Sequence, residues 1–191
     1  TLEGIREAGR RGVGVVVMEP LRGGLLANPP VDVKAVYDAY AVRRSPVEWG
    51  FRYLYAMPEV ITILSGMSTW AQVTDNLRIF DMAKRPTLTD EELALYQKVK
   101  ATYLARTKTR CTGCKYCQPC PMGVQIPRIF QGYDAAMLRT DSSFKAGYAQ
   151  IQADHADASQ CIHCRKCERV CPQHLPITRF LEEIHAASAA E

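Results

Sequence analysis

Long apolar runs are absent from this sequence. None approaches the roughly 20 residues that a membrane-spanning helix needs, and no stretch resembles a secretory signal peptide. The chain is therefore expected in the cytoplasm, without a membrane span. One-sided charge is missing as well: 24 Lys and Arg against 20 Asp and Glu leave a formal net charge of +4, which makes no case for nucleic acid as a partner. Histidine is scarce, with four in 191 residues. His155 and His185 read as surface residues without a partner, and no catalytic triad or carboxylate pair stands out.

Cysteine, by contrast, is abundant and tightly spaced. Cys111-Thr-Gly-Cys114-Lys-Tyr-Cys117-Gln-Pro-Cys120-Pro is answered by Cys161-Ile-His-Cys164-Arg-Lys-Cys167-Glu-Arg-Val-Cys171-Pro. Structural zinc takes paired Cys-x-x-Cys knuckles that together close one tetrahedron, and a third cysteine at the same short spacing has no place in it. Disulfides need an oxidising compartment and a geometry that such spacings rarely supply. Three thiolates on one short loop, followed by a cysteine before proline, suit the corners of an iron–sulfur cubane, the last cysteine serving the other cluster. This reading assigns one [4Fe–4S] cluster to Cys111, Cys114, Cys117 and Cys171, and a second to Cys161, Cys164, Cys167 and Cys120, using all eight cysteines. The first run is one residue shorter before its last cysteine than the usual bacterial spacing.

The two runs also form an internal repeat. Cys120-Pro-Met-Gly-Val-Gln-Ile-Pro-Arg aligns with Cys171-Pro-Gln-His-Leu-Pro-Ile-Thr-Arg, matching Ile126 with Ile177 and Arg128 with Arg179. Each half reads as loop, turn and helix, with Pro127 in the first turn of its helix, where a missing N–H costs nothing. His163 and His174 fall within the cysteine loops, either donating hydrogen bonds to a bound group or lying at the surface. Basic residues gather nearby, among them Arg110, Lys115, Arg165, Lys166 and Arg169. Cations stabilise a negatively charged cluster and tend to raise its reduction potential.

The first half reads as α/β. A charged helix is expected over residues 1–11, and residues 13–18 form a continuous apolar run of the kind that parallel strands covered on both faces show. The loop after it carries Gly23 and Gly24. A short helix over 32–40 precedes a better one opened by Ser45-Pro46-Val47-Glu48, an N-cap, a first-turn proline and a capping-box glutamate. A second strand over 60–65 ends at Gly66, and Thr69 with Gln72 opens a helix that should reach Ala83. The last helix, 87–106, carries Leu93, Tyr96, Val99 and Tyr103 along one face. Two parallel strands do not make a stable sheet, so the piece is expected to belong to a larger α/β structure whose earlier strands lie upstream of Thr1.

The run Val15-Val-Val-Met-Glu-Pro-Leu-Arg-Gly-Gly-Leu-Leu26, with Val60-Ile-Thr-Ile-Leu-Ser-Gly-Met-Ser-Thr69 and Gln72-Val-Thr-Asp-Asn76, resembles the last two βα units of the aldo/keto reductase family. The cysteine tail resembles the ferredoxin-like extension of one bacterial branch of that family, and its helical pattern is similar to the iron–sulfur subunit of succinate dehydrogenase. Together the resemblances span about residues 12–184. They imply the end of a (β/α)8 barrel over residues 1–106 and an α-helical ferredoxin-like domain over 107–191. By the resemblance, Leu21 and Gly23 run beside the pyrophosphate of a nicotinamide cofactor, NAD or NADP, while Gly66, Ser68, Thr69, Gln72 and Asn76 hold its adenosine end. A helix N-terminus favours such a phosphate, although a plain turn and cap would use the same residues. The segment 66–72 has no lysine or arginine to grip a 2′-phosphate, and Met18 stands where an aromatic ring often stacks on the nicotinamide. The catalytic residues of the family lie on earlier strands, so none is assigned here.

The function expected is that of an iron–sulfur oxidoreductase, exchanging electrons with a redox partner protein and acting on a small carbonyl or alcohol. An electron-transfer module without nicotinamide, and a redox-sensing or structural cluster domain, remain as alternatives.

Overall fold

Two short parallel strands are the only sheet among the described residues. The computed structural model describes residues 2–81, 85–139, 141 and 143–189. Its elements begin with α1 (Leu2–Arg10), β1 (Val15–Val17), α2 (Val31–Asp38), α3 (Pro46–Tyr55), β2 (Val60–Ile63), α4 (Trp70–Phe80) and α5 (Asp90–Arg106). They continue with α6 (Ile126–Arg139), α7 (Ser143–Ala153), α8 (Lys166–Arg169) and α9 (Ile177–Ala189). The fold is a helix-rich α/β chain in two compact units, Thr1–Thr102 and Tyr103–Glu191.

In the first unit β1 lies parallel to β2, pairing Val15 with Val60, Val16 with Thr62 and Val17 with Ile63, with an irregularity between Val15 and Val16. Both strands are shorter than their apolar runs. Full coverage of both faces is not found: Val16 is 52% exposed and Ile61 62%. Only Val60 is buried. The loop after β1 turns sharply through positive φ at Glu19, Arg22, Gly23 and Gly24, so its glycines relieve backbone strain.

Capping decides where the helices start. Ser45 accepts the Glu48 N–H at 3.0 Å and Pro46 occupies the first turn. The expected reciprocal bond from Glu48 is replaced by ion pairs to Arg78 at 3.0 Å and Arg44 at 3.4 Å, because those partners are charged and the Ser45 N–H is not. At α4 the box is complete: Thr69 Oγ1 accepts the Gln72 N–H, and Gln72 Oε1 accepts the N–H of Thr69. The end expected at Ala83 lies outside the described residues. At α5 the box formed by Thr89 and Glu92 sets the start three residues later than expected, at Asp90.

Glu92 has a second role that turns α5 about its axis. Its carboxylate, 4% exposed, receives Arg44 Nη1 at 3.0 Å and Arg52 Nε at 3.2 Å. The buried face of α5 is therefore Glu92, Leu95 and Val99, and Leu93 points outward. Trp49, fully buried, gathers Tyr37, Tyr40 and Tyr96 around its ring, with the Arg44 guanidinium 4.5 Å from its centroid. Glu92→Ala leaves two arginines facing an empty site and removes half of a capping box. We expect it to destabilise the unit by about 3 kcal/mol, measured by urea denaturation followed through Trp49 fluorescence. Leu93→Ala should change stability by less than about 0.5 kcal/mol.

Candidate metal centre

Backbone conformation repeats in the second unit as closely as sequence does. Gly113 and Lys115 flank Cys114 with φ of 70° and 65°, and His163 and Arg165 flank Cys164, both at 55°. Three residues past the last cysteine of each run, Gly123 and His174 are left-handed again, at 71° and 51°. A left-handed residue on either side of the middle cysteine reverses the backbone direction twice and curls each loop. In the first loop the Gly113 N–H lies 3.4 Å from Cys111 Sγ. The second loop holds the same shape with non-glycine residues, at a cost of order 1 kcal/mol each. His163 and His174 thus occupy strained turn positions. His163 is half exposed, 3.5 Å from Glu182, and His174 is exposed.

Behind the loops lies one apolar core. Val124, Ile126, Ile129 and Phe130 meet Ile177, Leu181 and Ile184, and α7 adds Tyr148 and Ile151, a helix the sequence pattern did not announce. Six cysteines pack against this core, while Cys114 and Cys164 are exposed at the loop tips. Both repeated isoleucines are buried at the first residue of their helices.

Polar side chains from those helices tie down the approach to each run. Asp134, buried on α6, accepts the backbone N–H groups of Lys108, Thr109 and Arg110 at 2.9, 3.1 and 2.8 Å and the Thr109 hydroxyl at 2.8 Å. Thr109 Oγ1 in turn accepts the Cys111 N–H at 3.2 Å. His185 stands at the equivalent place on α9, eight residues after Ile177 as Asp134 is after Ile126. It is not partnerless as expected: its Nδ1 lies 2.9 Å from the Tyr148 hydroxyl and 3.6 Å from Asp157, whose carboxylate caps the turn leading to Cys161. Glu168 accepts the N–H and hydroxyl of Thr178 at 2.9 and 2.8 Å, joining α8 to α9. Gln118 bridges the first turn, donating to the Val124 carbonyl and accepting the Cys120 N–H. None of these anchors was identified from sequence. The legible signal was an acid at 134 on the stripe 126, 130, 134.

The cysteines line two cavities. One, of about 190 Å³, has Cys117, Cys120, Cys161, Cys164 and Cys167 in its wall. The other, of about 20 Å³, is lined by Cys111, Cys114, Cys117 and Cys171. All eight cysteines are free thiols. Burial pushes the thiols of Cys111 and Cys117 up and that of Cys167 up to about 11. A bare thiolate is therefore disfavoured here, and a bound cation supplies the missing counter-charge. Among the described residues no three His, Cys, Asp or Glu side chains converge as ligands of a single metal ion. In a cubane each thiolate binds its own iron, so the sulfurs stand further apart than around one ion.

In the first unit, Leu21, Gly23, Gly66, Gln72 and Asn76 line one cavity of about 670 Å³ beside Met18. Gly66 has an open wall, with nothing within 4 Å of where a Cβ would stand. Ser68 and Thr69 are not in that wall. Their N–H groups go to Gln72 Oε1, at 2.8 and 3.2 Å, so these two donors serve the helix's own cap. Asn76 donates to Ser65 Oγ at 3.0 Å.

The 4Fe-4S dicluster domain is the family whose sequence model matches the chain, over residues 110–175. No curated protein and no solved structure matches it. The matched span includes all eight cysteines, and this part of the chain is an iron–sulfur, ferredoxin-like region suited to electron transfer. The thiol donors, grouped around apolar cavities, fit such a group. No described helix is long and apolar enough to cross a membrane.

Asp134→Ala should free residues 108–110 and loosen the entry to Cys111. Loss of a group that orients a metal ligand typically costs 10–100-fold in affinity, so iron release to a chelator should accelerate at least about 10-fold. Asp134→Asn, which keeps some of the acceptors, should fall between.

Proposed function

We propose that this chain is the electron-transferring part of an oxidoreductase, with two [4Fe–4S] clusters in a domain over residues 107–191. The ligand sets are crossed: Cys111, Cys114, Cys117 and Cys171 hold one cluster, and Cys161, Cys164, Cys167 and Cys120 the other. The observation that carries this reading is the division of the cysteines between two cavities: Cys111, Cys114, Cys117 and Cys171 line one, while Cys161, Cys164, Cys167 and Cys120 line the other, whose wall Cys117 shares. When bound, such clusters supply one-electron transfer. The protein's own part is to curl the loops, bury the sulfurs against the core of α6 and α9, and fix the loop entries through Asp134 and Asp157.

Anaerobically loaded protein should carry about eight iron and eight acid-labile sulfide per chain. Crossing is tested by pairing variants. Cys120→Ala with Cys164→Ala should lose no more iron than either alone, about half, because both serve one cluster. Cys120→Ala with Cys114→Ala should lose nearly all of it. The opposite pattern would overturn the crossed sets.

The finer reading is that residues 1–106 belong to an aldo/keto reductase-like barrel that binds NAD or NADP for carbonyl or alcohol chemistry. It is supported by the 670 Å³ cavity that brings Leu21, Gly23, Gly66, Gln72 and Asn76 together, within the size range of ligand sites. Titration with NADH and NADPH decides it: binding that Gly66→Val abolishes supports the reading, and no binding of either leaves an electron-transfer module.

A further inference from the structure

The mouth of the larger cysteine cavity carries an apolar patch that the cluster reading does not use. Tyr116, Met122, Ile162 and Val170 all line that cavity, yet all are exposed, Tyr116 at 68% and Ile162 at 60%. Exposed apolar side chains gathered at one opening mark a contact surface more often than chance scatter does. Cations surround the patch: Arg165 and Lys166 line the same cavity, Lys115 precedes Tyr116, and Arg169 precedes Val170. All four cations are exposed. Among the described residues none of them forms an ion pair, and the one acid within α8, Glu168, is turned inward to Thr178. A bound cluster would draw on their charge, but no carboxylate of the described residues neutralises them. Here they are left facing solvent.

Resting on the electron-transfer reading above, we propose that this face docks an acidic one-electron redox protein. Its carboxylates meet Lys115, Arg165, Lys166 and Arg169, and an apolar centre on the partner covers Tyr116 and Ile162. Charge then sets the approach and orientation, and the apolar centre brings the partner's redox group against the cavity that holds Cys164 at its exposed tip.

The test is the affinity of the iron-loaded full chain for oxidised flavodoxin, an acidic flavin protein, with cytochrome c as a basic control of similar size. Flavodoxin should bind at low ionic strength and weaken at least about 10-fold when salt screens the contact, and cytochrome c should not bind. Lys166→Glu with Arg169→Glu should weaken flavodoxin about 10-fold at low salt, with affinity measured per iron-loaded chain. Ile162→Ser should weaken it equally at low and high salt. Equal binding of cytochrome c, or wild-type binding that does not respond to salt, overturns the proposal even if the charge-reversed variant fails to fold. Iron analysis stands apart from these results: a chain that takes up no iron refutes the cluster reading, whereas a loaded chain indifferent to flavodoxin charge refutes only the docking face.

Discussion

A loop of four residues can aim two thiols at one point only if its backbone doubles back, and this requirement governs the second unit. It is met by the same device in both halves, a left-handed residue on either side of the middle cysteine and a third beyond the last. Such a curl is unstable by itself. The helix following each run stabilises it, sending an apolar face into the common core and a polar side chain, Asp134 or His185, toward the segment that leads into the first cysteine of its half. Loop and helix are therefore one unit, repeated.

The first unit is organised by charge and aromatic rings more than by its sheet. Two strands of three and four residues bury little, and the solid part lies where α3 and α5 enclose Trp49. Glu92 is central there because it is a helix cap and the counter-ion of two arginines at once. Val16 and Ile61 leave one apolar face of the two strands open to solvent.

Local signals were legible in the sequence and distant ones were not. Ser45, Thr69 and Thr89 act on N–H groups three residues away, so their capping could be read directly, as could the cysteine spacing. Glu48 shows the limit: its motif was read correctly, but Arg78, 30 positions away, outcompetes the local bond. The buried face of α5 was misplaced for the same reason, since Glu92 reads as a surface acid until Arg44 and Arg52 are brought to it. Tyr148, His185 and Asp157 come together across 37 positions, and no spacing rule connects them. Helix α7, with a weak apolar stripe, was invisible until its Tyr148 and Ile151 met the core.

The repeat is symmetric in backbone but not in tolerance. Gly113 has φ of 70° and a Cβ there would fall 2.4 Å from Gln131 Nε2, whereas its counterpart His163 keeps the same turn with a full side chain. The loops are therefore interchangeable in one direction more readily than the other. A copy of the first loop grafted into the second position brings only glycine's freedom, while a copy of the second grafted into the first has to displace Gln131 and hold a histidine in a left-handed turn. Both positions keep the left-handed turn, and the first asks in addition that the end of the Gln131 side chain swing aside.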